Sequence, residues 1–167
     1  MNQVTIVDSS DFSRGSKSKF QAVRGISPFN ETAPCRGCPE VLETLEDRNL
    51  LVFISFSVPL ETWKDFSAQM EKTGGVFIVR GVPKESFELF AFKVLELLNE
   101  GVLAPIDIDP ELFLQYGISE APAVVLRDGK KYDMARGNLR LSDTLRLFSE
   151  EGETKNKALQ LLEKLNA

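Results

Sequence analysis

The sequence predicts an α/β domain, a mixed sheet with helices on both faces. Three observations lead there. Residues 50–56 and 76–79 are near-continuous apolar runs, the pattern of strands buried on both sides, and a helical pattern separates them. Residues 123–126 and 131–135 are two further strands joined through Asp128-Gly129, a strong hairpin signal. The resulting order is strand, helix, strand, helix, strand, helix, hairpin, helix. Parallel crossovers followed by an antiparallel ribbon require a mixed sheet.

Each element has a local reason. Residues 39–48 open with Pro39 at a first-turn position and repeat Val41, Leu42 and Leu45 at helical spacing. After the strand at 50–56, Pro59 begins a helix that carries Trp63, Phe66 and Met70 on one side and stops at Gly74-Gly75. The strand at 76–79 is followed by a strongly apolar helix over 87–98, closed by Asn99 and Gly101. Residues 104–108 form a third strand, and Asp109 caps a short helix over 110–116. Beyond the hairpin, Ser142 is placed to cap a helix through Leu145 and Phe148. Gly152 breaks it, and residues 154–166 form a last helix with Ala158, Leu161, Leu162 and Leu165 on one face, expected to pack on the core.

Residues 1–34 differ in texture, with scattered Ser, Asn, Gly and Pro and only short apolar clusters. They read as a flexible lead before a domain over 35–167 whose core spans about 50–150. Removing residues 1–33 is expected to cost little stability. No basic segment followed by an apolar run stands after Met1, so no secretory signal is legible in the chain as given.

Composition excludes several activities. A net charge of −5 argues against non-specific nucleic-acid binding, which needs a basic footprint. No apolar run has the length of a membrane span. The chain contains 0 His, which removes His-based triads and most common zinc and haem sites, so neither a cofactor nor a metal is expected. Ser55 and Ser57 alternate along a strand without a His partner and make poor nucleophiles. Asp107 and Asp109 flank an isoleucine, and the structural role of Asp109 as a helix cap accounts for it best. Arg80, at the carboxyl end of the second strand and beside Gly81, is a better functional candidate, although it could also pair with an acid such as Asp109.

The stretch from Ile106 through Asp109-Pro110-Glu-Leu-Phe113 to Ile118, followed by Ser-Glu-Ala-Pro122 and Arg-Asp-Gly129, resembles the second half of thioredoxins and periplasmic disulfide isomerases. The resemblance implies a thioredoxin-like fold in which Pro122 is cis and lies beside the site. The first half departs from the redox families. Where they carry Cys-x-x-Cys, this chain reads Phe56-Ser57-Val58-Pro59-Leu60, so no thiolate is available there for disulfide exchange. Ser55-Phe-Ser-Val-Pro59, then Val79-Arg80-Gly81, an inserted helix, and Ile108-Asp-Pro-Glu-Leu-Phe113 are similar to a narrower group, the TrbC pilus-assembly proteins of F-type conjugative DNA transfer, a type IV secretion system. Such chains commonly have threonine where this one has Ala123. Membership implies a periplasmic, non-enzymatic component of pilus assembly that acts with other transfer proteins such as TraW.

On that fold the Ser57-Val58-Pro59 junction, Arg80 and the Ala121-Pro122 loop are expected to meet at one end of the sheet. Exposed backbone, small side chains and one cation there suit an extended protein segment. The rival function is a thiol-disulfide oxidoreductase using Cys35 and Cys38, the only cysteines, in a displaced position. Two cysteines supply half a zinc site. In an oxidising compartment a Cys35–Cys38 disulfide closing a small turn is the favoured state.

Overall fold

The computed structural model describes residues 48–167. Cys35, Cys38, the lead and, apart from Arg48, the helix expected over 39–48 lie outside them. Five strands, β1 (Leu50–Ile54), β2 (Val76–Val79), β3 (Ile106–Ile108), β4 (Ala123–Asp128) and β5 (Lys131–Arg136), form one sheet in the order β3-β2-β1-β4-β5. β2 runs parallel to β1 and β3, whereas β4 is antiparallel to β1 and to β5. The mixed sheet is therefore as the apolar runs and the hairpin implied.

β1 is the central strand, and its five residues are buried throughout. Its alternation divides the core in two. Leu50, Val52 and Ile54 face one cluster with Trp63, Phe66, Phe148 and Leu161, while Leu51 and Phe53 face another with Phe113, Tyr116 and Ile118. Helices α1 (Leu60–Thr73), α2 (Phe87–Asn99), α4 (Leu141–Glu151) and α5 (Lys155–Asn166) supply the first cluster, and the short α3 (Pro110–Gln115) supplies the second. Helices thus lie on both faces. Ala158 and Leu161 of α5 are buried, with Leu162 and Leu165 packed against the same cluster, so this helix serves the core as expected.

The expected boundaries shift at four places. β1 ends at Ile54 rather than Phe56, because the Val58 amide donates to Ser55 O (3.0 Å) and turns the chain. β3 begins at Ile106, after Pro105, whose ring nitrogen has no hydrogen to donate. In the hairpin, Asp128 pairs with Lys131, so Gly129-Lys130 is the turn, with Gly129 at φ 63 supplying the left-handed first position. Ser142 is not the cap of α4. Arg140 holds that position without a side-chain bond, and the Ser142 amide donates instead to Gln69 Oε1 of α1 (2.9 Å). Asp109 does cap α3, accepting from the Leu112 amide at 3.0 Å.

Candidate functional site

Parallel β1 and β2 deliver their carboxyl ends to the same border of the sheet. Ile54 is level with Val79, and antiparallel β4 begins there with Ala123 opposite Phe53. Chain leaves or enters the sheet at three neighbouring points, and a crevice opens between them. It encloses about 310 Å³, and its lining includes Ser55, Ser57, Arg80, Phe113, Glu120 and Ala121.

The site residues expected from sequence divide on inspection. Ser57, Arg80 and Ala121 line the crevice. Val58 faces a second cavity of about 220 Å³, shared with Phe56, Leu60, Trp63 and Leu97 between α1 and α2. Pro59 is exposed and occupies the cap position of α1, where its carbonyl accepts from Thr62 (3.0 Å). Pro122 is buried; its bond to Ala121 is cis, and its carbonyl accepts from the Gly137 amide (3.0 Å). Pro122 is therefore next to the crevice wall in sequence but does not line the crevice.

The crevice is polar above and aromatic below. The Ser55 and Ser57 hydroxyls lie 3.0 Å apart and bond to each other. Arg80 is exposed, with its guanidinium 5.7 Å from the centre of the Phe113 ring, a cation–π arrangement. Phe113 in turn meets Phe53 edge to face at 4.9 Å. Arg80 therefore rests on the core ring rather than pairing with Asp109, whose carboxylate serves the α3 cap. Asp107 accepts from the next residue's amide, Ile108, at 2.8 Å. Phe113 is a crevice residue that the sequence did not mark as such, although it closes the Asp-Pro-Glu-Leu-Phe motif.

The second cavity has a charged rim. Lys64 Nζ reaches Glu100 Oε2 at 2.8 Å, tying α1 to the end of α2. That hydrogen bond, aided by the negative charges of Glu100 and Glu61 and opposed by desolvation, raises the Lys64 pKa above its ordinary value. Among the described residues no group of three or more His, Cys, Asp or Glu side chains could hold a metal ion. No helix among them is long and apolar enough to cross a membrane.

Comparison with known proteins places these features in a family. Residues 52–151, from β1 through α4, match the family described as the type-F conjugative transfer system pilin assembly protein. The chain is also 36% identical over 112 residues to the periplasmic protein TrbC of Escherichia coli (strain K12), a match covering 67% of this chain and 53% of that protein. The chain thus spans about half the length of the curated relative it matches. No solved structure matches. The matched span includes all five strands apart from the first two residues of β1, together with every crevice residue named above, and the chain belongs to the TrbC family of type-F conjugative transfer pilin assembly proteins.

Proposed function

We propose that this chain is a non-enzymatic, periplasmic assembly module of a conjugative pilus, built on a thioredoxin-like scaffold whose former thiol groove receives an extended segment of a partner protein. The observation that carries the reading is the content of the crevice: two hydroxyls bonded to each other, loop backbone and one exposed guanidinium on an aromatic floor. Ser57-Val58-Pro59 stands where a redox relative would carry its thiols. Hydroxyls bonded to each other rather than to a base are weak nucleophiles, whereas small side chains, open backbone and one cation with one acid, Arg80 and Glu120, suit an extended chain. The strand order, with two parallel pairs beside an antiparallel ribbon, supports the scaffold assignment. The family description and the relative's printed name support the role and the compartment. A TraW-like transfer protein is the partner by family resemblance.

The test is Ala121→Glu. Ala121 is half-buried at the crevice wall, so a glutamate there introduces a second acid beside Glu120 without entering the core. The variant is expected to keep its circular dichroism spectrum and melting behaviour and to lose both pilus assembly and capture of the TraW-like protein. Full assembly by a folded Ala121→Glu protein would move the interface off this crevice. A second variant, Cys35→Ser with Cys38→Ser, is expected to retain assembly. Insulin reduction that depends on these cysteines would establish the oxidoreductase instead.

A further inference from the structure

Helix α2 is apolar nearly all the way round, yet it packs only one flank on the core. Leu97 is buried and Phe90 is half-buried, meeting Phe56 edge to face at 5.9 Å. On the other side Phe87 is 73% exposed, Phe92 68%, Leu95 56% and Leu98 44%, and Leu103 in the loop leaving the helix is 61% exposed. A helix of this composition is ordinarily buried on all sides. With about 150–250 Å² available on each large aromatic side chain, and somewhat less on leucine, these exposures leave on the order of 600 Å² of apolar surface. That is the upper end for a monomer and most of the ~800 Å² per partner in a standard interface.

We infer that this face of α2 is the interface of a twofold-symmetric dimer of the chain, with Leu95 at the axis and α2 packing antiparallel on its copy. The spacing and the charge both favour a second copy as the occupant. Phe92 and Leu98 stand three residues to either side of Leu95, so a twofold axis there sets Phe92 of one copy level with Leu98 of the other, as an isologous contact requires. The chain carries a net charge of −5, which opposes self-association through most of its surface. On α2, however, Lys93 is paired with Glu96 at 2.8 Å, and Glu100 is paired with Lys64 at 2.8 Å. The remaining acid of α2, Glu88, is exposed and stands seven residues from Leu95, so the twofold axis keeps it about 20 Å from its copy, and two acidic molecules can meet on a face whose charges are paired or far apart.

The patch is also held in place. The buried Ser67 hydroxyl of α1 accepts from the Leu103 and Ala104 amides (2.9 and 3.0 Å), fixing the loop after α2. The Ser86 hydroxyl accepts from the Leu89 amide at 3.3 Å and caps the other end. A rigid, pre-formed face loses little entropy on association.

Sedimentation velocity on the full chain over about 1–100 µM is expected to show a reversible monomer–dimer equilibrium. Leu95→Glu and Leu95→Lys each place like charges on the axis and are expected to weaken dimerisation at least tenfold with unchanged circular dichroism. An equimolar mixture of the two is expected to restore a dimer, because opposite charges then meet. Should either Leu95 variant fail to fold, Phe92→Gln gives the same reading from a still more exposed position. Wild type that stays monomeric to 100 µM overturns the inference and leaves the face to a different partner. A dimer indifferent to both Leu95 charges and to Phe92→Gln also overturns it.

Discussion

Asp133 has the most consequential side chain outside the crevice. It sits on β5 and is buried, yet it accepts from Thr154 Oγ1 (2.6 Å), the Thr154 amide (2.8 Å) and the Glu153 amide (2.9 Å). One carboxylate thus satisfies the chain between α4 and α5 and fastens it to the sheet. Asp133→Ala would leave three donors without their acceptor, and a loss of about 3 kcal/mol is expected, read as a lower urea midpoint and a Tm lower by about 10 °C. Gly152 faces the same carboxylate. A methyl group there would overlap Asp133 and come within 2.7 Å of Phe148 O, so Gly152→Ala is expected to cost about 2 kcal/mol although the backbone itself permits alanine. Lys84 and Glu85 are the opposite case. Both are exposed residues with positive φ, 48 and 57, in the single turn of tight helix before α2. Lys84→Gly should raise stability by about 0.5–1 kcal/mol in the same urea titration, because glycine adopts that conformation without the steric penalty.

At the scale of elements, the parts of the fold that depend on nearest neighbours in sequence were legible. Asp109-Pro110 announces α3, Gly74 at φ 79 ends α1 as expected, and the burial of β1 on both faces is visible in its continuous apolar run. The α4 start was not legible for a physical reason: its cap comes from Gln69, 73 residues earlier. No local pattern carries that information. Gln69→Ala is accordingly expected to cost about 1 kcal/mol and to speed amide exchange at Ser142, whereas Ser142→Ala should do neither. The same reasoning applies to Asp133, which reads in sequence as a polar residue in a hairpin strand and acts as an anchor for a helix 21 residues on. For the crevice, sequence order marked Ser57, Arg80 and Ala121, but it could not tell that Val58 lines the cavity beside α2 or that Pro122 is buried outside the crevice lining. Alternation at a strand end becomes ambiguous once the chain turns, and here it turns at Ser55.

Across the whole molecule, burial ranks the strands. β1 and β2 are buried throughout, while β3 is three residues long and half-buried at the border of the sheet. Hydrogen exchange is expected to be slowest at Val52–Ile54 and Val124 and faster by several orders of magnitude at Ile106–Ile108, because local opening of β3 breaks pairing with only one neighbour. The outer strands have a further consequence. β3 follows a proline and stops before another, Pro105 and Pro110, and β5 carries Lys131 and Arg136 at its two ends. One side is too short, and the other too charged, for a neighbouring chain to extend the sheet by adding strands of its own. Such a protein can be held at high local concentration without seeding fibrous growth, so self-association is directed away from its backbone edges and onto its side chains.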